Sequence, residues 1–442
     1  MLKKSFLRFL IIGGVSTAIN YSVFHVFLAV FGMHYAMSSG VGYCTGLVVG
    51  YFFNKSWTFQ AARHSVAAIT QYICVYLGSL TLSLVLLSFL IEGLSFPAWF
   101  ANIIAIGLTT ITNFVGLRFW VFTPESEYEL YIKDLISVSH KLGASMAVVQ
   151  GGGGNTSIKF AGHYMAVKAS GTTLSTMSAS KGISIVDYPH VLNGLSPHTT
   201  ESESEKVLKD SVVQLPTMPT GRPSMETGFH AVLGRVVLHT HSVYINCIAC
   251  SENGRSLCES LFKDTDIFPV WIDYVAPGLQ LSVAVKQAVQ KQPDATVFIL
   301  ASHGIVVTAE TSKEAYVLYE SVTKIIKTGL SLSDMTETYT LEKRDEDHYV
   351  MPLPDADDVS LRDVLFPDQA IYLTHNVTRE KEGLVFKASL SKAEGMAETV
   401  LAKIYIESEI NRLGYTPVSL NDEDVALVLN MPSEAYRKAV IE

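Results

Sequence analysis

From Phe9 to Asn54 the sequence contains no Lys, Arg, Asp or Glu. A spanning helix needs about 20 mostly apolar residues. The run therefore holds two spans, with a turn at Gly32-Met33-His34. The stretches from Arg63 to Glu92 and from Glu92 to Arg118 hold one more each. The first segment is too long for a cleavable signal peptide, and comparable segments follow it. Gly13, Gly14, Gly42 and Gly46 permit close helix contact. Asn20 and Asn113, polar within apolar spans, serve either packing or a polar path.

The charge is distributed to match. Residues 1–123 carry six basic residues (Lys3, Lys4, Arg8, Lys55, Arg63 and Arg118) and one acid, Glu92. The remainder is strongly acidic, so two physically different objects share the chain. Its mean hydropathy, +0.28, is high for a purely soluble protein. Lys3, Lys4 and Arg8 precede span one, Lys55 and Arg63 lie between spans two and three, and Arg118 closes span four. The loops around Met33 and Leu94 have no Lys or Arg. By the positive-inside rule both termini are expected in the cytoplasm, on a multi-pass inner-membrane protein. No nucleic-acid partner is expected. The five cysteines suggest no disulfide framework, and Cys247 and Cys250, in the apolar run YINCIAC, read as core residues of a reduced compartment.

Spans two and four end on an echo. Lys55 stands two residues before Trp57 and Phe59 two after it; Arg118, Trp120 and Phe122 repeat the spacing. One reading is an interfacial belt of aromatics and snorkelling cations. The other is a site for an anionic lipid phosphate. RFLIIGGVSTAINYSVF, FFNKSWTF and NFVGLRFWVF resemble the GtrA-like membrane proteins over nearly all of residues 5–122. The resemblance implies a role in cell-surface polysaccharide synthesis, by moving polyprenyl-phosphate-linked sugars across the membrane. One departure is that Gly50 stands in span two where span four has Asn113. No catalytic residue is carried over.

After a linker at 123–129 the chain becomes polar. Glu127 to Lys141 reads as an amphipathic helix with Leu130, Ile132, Leu135 and Val138 on its apolar side. MAVVQ, TSIKF, YMAVKAS, RVVLHTHS and ATVFILASHG read as strands, and SVAVKQAVQ and SKEAYVLYESVTKII as helices between them. The expectation is an α/β layered domain at 130–330, with residues 191–223 loop-like and 331–442 an extension of it.

Four places carry chemistry. His239 and His241, at i and i+2, face one side of a strand, so both imidazoles can reach one metal. His303 ends another strand; three His match a catalytic zinc with an open fourth position. Glu226, just before the helix-like FHAVL, can ligate the metal or act as a base. Gly151 to Gly154, followed by Asn155, form either a flexible turn or an anion-binding nest; with Ser170-Gly171-Thr172 they suggest a phosphate site. His163 and His230 read as structural.

GGGGNTSIKF, VKASGTTLS, SMETGFH, VVLHTHS, DYVAPGLQLSVAV and LASHGIVV together resemble the class II aldolase/adducin-like family, in the family's order. The match covers about 130–330, and LFPDQAIYL and LNMPSEAYRKAV suggest a longer subfamily form. The nearest likeness is to the aldolase half of bifunctional rhamnulose-phosphate aldolase/dehydrogenase proteins, without the dehydrogenase half. The resemblance implies that His239, His241 and His303 hold Zn²⁺, and that Glu226 is the catalytic glutamate and a possible further ligand. It implies that Gly154, Asn155, Ser170, Gly171 and Ser224 contact the substrate phosphate. Met225 departs from the family, which has a serine there. The tyrosine that some members borrow from a neighbouring subunit as proton donor has Tyr274 as its nearest candidate. The function expected is a zinc-dependent, aldolase-type lyase acting on a ketose phosphate, in a homotetramer with the site at a subunit interface. Epimerase or dehydratase activity remains open, as does a non-catalytic, adducin-like regulatory role beside the transport module.

Overall fold

Where the sequence lacks charge, the computed structural model is helical. It describes residues 2–59, 66–121, 127–215, 221–336, 338–352, 361–374 and 376–431. The chain divides between Glu127 and Tyr128 into two compact units.

The first unit holds helices α1 (Leu2–Ala29), α2 (Tyr35–Phe53), α3 (Val66–Ser88) and α4 (Ala98–Gly116). Four spans, Ser5–Ala29, Tyr35–Thr58, Ile69–Gly93 and Ala98–Val121, are 24 or 25 residues long. At 1.5 Å per residue that is about 36 Å, enough to cross a hydrocarbon core of about 30 Å. The turn falls at Gly32, whose φ is 64°. Close contact of α2 with α1 runs along a four-residue stripe. A Cβ on Gly42 would lie 2.6 Å from the Asn20 carbonyl oxygen, and one on Gly46 3.1 Å from that of Ser16. Gly13 and Gly14 differ from expectation: a Cβ on either would meet nothing within 4 Å, and both border a cavity instead. The two echoed segments share a local geometry, each forming a five-residue π-helical turn, Asn54–Thr58 and Leu117–Val121. Arg8, from the start of α1, donates to the Trp57 carbonyl at 2.9 Å and sits over the Trp57 ring. Phe122 and Arg63 lie outside the described residues.

The second unit opens with α5 (Glu127–Leu142) and continues through β1 (Asn155–Phe160), β2 (Tyr164–Lys168), β3 (Ile183–Asp187), α6 (Tyr188–Gly194), α7 (Glu201–Asp210), α8 (Thr227–Val232), β4 (Val236–Thr240), α9 (Val243–Ala249), α10 (Gly254–Phe262), β5 (Val270–Ile272), α11 (Leu279–Lys291), β6 (Val297–Leu300), β7 (Gly304–Ala309) and α12 (Ser312–Gly329). The strands form one sheet, ordered β3-β2-β1-β4-β7-β6-β5, antiparallel except for β5 against β6. Helices cover both faces. Val236, Leu238, Val297 and Ile299 pack with Leu135 of α5 and Val322 of α12, whereas Val237, Phe298 and Val306 pack with Phe229 of α8 and Val285 of α11. The extension adds β8 (Glu342–Lys343), β9 (His348–Met351), α13 (Pro367–Leu373), β10 (Val377–Glu380), β11 (Gly383–Lys387), α14 (Leu390–Arg412) and α15 (Asp422–Leu429), with a second antiparallel sheet ordered β10-β11-β9-β8.

Three expectations need correction. In α5, Ile132, Leu135 and Val138 are buried but Leu130 is exposed; two residues from Ile132, it falls on the opposite side of a 3.6-residue turn. MAVVQ is not a strand. Its backbone closes a local turn, with Val148 N–H donating to the Ser145 carbonyl at 3.1 Å, while Met146, Ala147 and Val149 still enter the core. Short apolar runs do not distinguish the two. The stretch 191–223, read as loop from its Ser, Thr and Pro, contains α7 and the end of α6. The capping box of α7, Thr200 with Glu203, is a sequence signal that the composition outweighed. Cys247, Cys250 and Cys258 are free and buried.

Candidate metal centre and substrate cleft

Alternation along β4 sends Val237 and His239 to the α8 side of the sheet, and His241 continues the same phase just beyond the strand. The β6–β7 hairpin delivers the third imidazole. Leu300 pairs with Gly304, leaving Ala301, Ser302 and His303 as its loop. Ser302 takes a left-handed φ of 47° and donates its N–H to the Ala249 carbonyl at 2.8 Å. Gly304 has no room for a side chain, because a Cβ would collide with the Thr240 carbonyl. The hairpin can therefore lie against the end of β4. The His303 ring centroid is 5.0 Å from that of His239 and 5.1 Å from that of His241. The three candidate ligand nitrogens lie within 4.8 Å of one another, all buried.

The proton positions follow from the partners. Nδ1 of His239 lies 2.9 Å from the Ile305 carbonyl, which can only accept, so Nδ1 carries the hydrogen and Nε2 the lone pair. Burial pushes the His239 imidazole down to about 3, so it is neutral near pH 7, the form that binds metals. Nδ1 of His241 lies 2.9 Å from Oδ2 of Asp368, with the ring N–H off the ideal hydrogen-bond line. Its Nε2 faces Nε2 of His239 at 3.1 Å. Two lone pairs at that distance repel unless a proton or a cation satisfies them. With His303 converging on the same point, the donor set fits a divalent metal.

Glu226 caps α8 on the open side of this cluster. Oε1 is 3.3 Å from Nε2 of His303, and Oε2 is 3.6 Å from Nε2 of His239. Burial alone would raise its pKa. Positive charge on the facing imidazoles of His239, His303 and His241 acts the other way, and the net direction is down, towards the carboxylate. Asn155 donates its side-chain N–H to Oε2 at 2.6 Å. Behind Asn155 stands His230, read from sequence as merely structural. Its Nδ1 is 2.7 Å from Ser157 Oγ and its Nε2 is hydrogen-bonded to Asn155 Oδ1. Since that amide oxygen accepts, Nε2 must donate, which turns the Asn155 NH₂ towards Glu226. Burial pushes the His230 imidazole down to about 3, so it orients the glutamate as a neutral ring. Its partner on β1 is 75 residues away, beyond the reach of local pattern.

Gly154, Asn155, Ser170, Gly171 and Ser224 line one cleft with Glu226, His241 and His303. An isolated antiparallel bridge between Ala169 and Pro223 sets Lys168 across from Ser224 and Ser170 across from Arg222, to whose carbonyl the Ser170 N–H donates at 2.9 Å. Lys168 and Asp368 line the cleft as well, and nothing in the sequence pointed to either. Lys168 is buried and donates to the Gly152 carbonyl at 3.0 Å. The four-glycine turn is not an open nest. The N–H of Gly151 donates to Glu398 at 2.7 Å, that of Gly152 to the Tyr372 hydroxyl at 2.9 Å and that of Gly153 to the Gln150 carbonyl at 2.9 Å. The anion at its first glycine is this chain's own. Tyr274 does not line the cleft of its own chain. Burial raises its hydroxyl pKa, and Asp424 adds to the effect.

Comparison with known proteins covers both units. Residues 8–122 match the GtrA/DPMS transmembrane domain, and residues 133–330 match the Class II Aldolase and Adducin N-terminal domain. The chain therefore joins a segment that matches the GtrA/DPMS transmembrane domain to one that matches the Class II Aldolase and Adducin N-terminal domain. Among curated proteins it is similar to the "Uncharacterized oxidoreductase YuxG" of Bacillus subtilis (strain 168), 32% identical over 197 residues, 42% of this chain. It spans only 27% of that relative's length. Among solved structures, the N-terminal class II aldolase domain of a conserved protein from Thermoplasma acidophilum is 23% identical, with a TM-score of 0.40 over 47% of this chain and 95% of that one. A sugar-phosphate aldolase from Thermotoga maritima is 14% identical, with a TM-score of 0.35 over 48% and 100%.

Proposed function

We propose that the second unit is a zinc-dependent lyase that cleaves a ketose phosphate. The observation that carries this reading is the convergence of His239, His241 and His303 on one point, with a buried carboxylate, Glu226, on its open side. Zinc bound by the three imidazoles supplies Lewis-acid chemistry towards a substrate carbonyl. Glu226, held by Asn155, takes the proton of the substrate hydroxyl as the adjacent carbon–carbon bond breaks. That hydroxyl carbon leaves as an aldehyde. The bonding electrons stay on the ketone fragment, whose carbon then takes up a proton. Lys168, Ser170, Gly171 and Ser224 hold the anionic end. Tyr274 of a neighbouring subunit in a homotetramer is our candidate for the protonating acid. The test uses the full chain in detergent, purified without chelators and given zinc, with ketose 1-phosphates as substrates. One zinc per chain and release of dihydroxyacetone phosphate are expected. A chain that binds no zinc ends the reading, and zinc binding without cleavage favours an epimerase or dehydratase.

For the first unit we propose handling of a polyprenyl-phosphate-linked sugar in cell-surface polysaccharide synthesis. Support comes from a cavity of about 390 Å³ bordered by Ser16, Asn20, Asn54, Tyr76 and Asn113. The Ser16 hydroxyl and the amide oxygens of Asn54 and Asn113 are buried there without hydrogen-bond partners among the described residues. In an apolar bundle such groups mark a polar ligand or path. The one-sided Lys and Arg distribution supports an inner-membrane protein with both termini and the aldolase domain in the cytoplasm. Reporter fusions after Arg63 and after Phe122 should both report as cytoplasmic; a periplasmic signal at either refutes this orientation.

A further inference from the structure

The side of His241 that faces away from the metal point is built from chain outside the matched aldolase segment, which ends at residue 330. Helices α13 and α14 pack on the glycine turn through three contacts that do not involve His241, one from α13 and two from α14. Tyr372 accepts from Gly152, and Glu398 of α14 accepts from Gly151. Gly395 of α14 meets Gly151 backbone to backbone: a Cβ on Gly395 would sit 3.2 Å from the Gly151 Cα. This packing brings Asp368, in the first turn of α13, to 2.9 Å from Nδ1 of His241. A Cβ on Gly153 would sit 2.9 Å from that same nitrogen and against Oδ2 of Asp368, so the turn must be glycine there for the two groups to meet.

An acid in the first turn of a helix is often no more than a partner for the helix dipole. Such acids stand at the surface. Asp368 is 4% exposed, lines the cleft and faces an imidazole. An Nδ1 lone pair against a carboxylate oxygen at 2.9 Å would be repulsive, so Nδ1 carries the proton. Nε2 is then left with its lone pair towards His239 and His303.

We propose that Asp368 is the positioning residue of the metal centre, fixing His241 in the tautomer that presents Nε2. The assignment rests on the zinc reading above. It makes the extension part of the site. Carboxylates behind a ligating imidazole typically change metal affinity 10- to 100-fold when removed.

The experiment measures zinc affinity of the full chain in detergent by chelator competition, and the electronic spectrum of the cobalt-substituted chain. D368A is expected to weaken zinc about 10- to 100-fold and to shift the cobalt spectrum. D368N offers an amide oxygen without the charge and is expected near the lower end, about 10-fold. Y372F removes one of the three packing contacts but leaves the Asp368 carboxylate, so its loss should be smaller than that of D368A. Wild-type affinity and spectrum in D368A overturn the assignment, as does a loss in Y372F equal to that in D368A. If D368A fails to fold, D368N decides, and wild-type affinity there overturns it. A wild-type chain that binds no zinc overturns the metal reading itself, and this assignment with it.

Discussion

Replacing Glu226 by Gln is expected to leave zinc bound and lower turnover of a ketose phosphate by about 10²–10⁴, the usual worth of a positioned general acid or base. Gln keeps the shape and one carbonyl oxygen, so the Asn155 N–H at 2.6 Å retains an acceptor. It cannot take up a proton near neutral pH. Binding of a ketose-phosphate analogue should survive, because Lys168, Ser170 and Ser224 are untouched. Zinc content and turnover must be measured together. If zinc affinity falls in step with activity, Glu226 is mainly a fourth ligand, since a neutral amide is the poorer donor. Unchanged zinc with unchanged turnover would remove Glu226 from the chemistry.

Removing an imidazole acts one step earlier. His303→Ala and His239→Ala are each expected to abolish stoichiometric zinc, read by metal analysis of the purified chain. In the wild type, zinc at 100 times its Kd should stabilise the fold by about 2.7 kcal/mol, and neither variant should show that thermal shift. The two differ in collateral cost. Nδ1 of His303 has no hydrogen-bond partner among the described residues, whereas Nδ1 of His239 serves the buried Ile305 carbonyl. His239→Ala should therefore lose roughly 1–3 kcal/mol even without metal. Zinc bound at wild-type stoichiometry in either variant would mean that the three nitrogens are not the ligand set.

The parts of the fold and site that could be read from sequence are those encoded locally. A run without charges specifies a span on its own, and an H-x-H on a strand fixes where two rings point whatever packs around them. The groups that hold the site together were not legible, because each works through a distant segment. His230 had no visible partner until Asn155 and Ser157 of β1 were laid against α8. Asp368 and Lys168 look like any acid and any base in sequence. The four glycines were read as either a flexible turn or a nest for an outside anion. One of their N–H groups, that of Gly151, does meet an anion, but it is Glu398, 247 residues on. Composition misled once more at α7, where a Ser- and Thr-rich stretch hid a capping box.

The contact between Gly151 and Glu398 also bears on the order in which the chain folds. His239 reaches Ile305 across 66 residues, whereas the glycine turn meets its carboxylate across 247. Loop-closure entropy makes the longer contact dearer by about 1 kcal/mol, and it cannot form before α14 leaves the ribosome. The strands that carry the imidazoles are complete at that point, whereas the carboxylate that closes the glycine turn is still to be made. The last part of the site to be synthesised is thus the extension, with Asp368 behind His241 and Glu398 against Gly151.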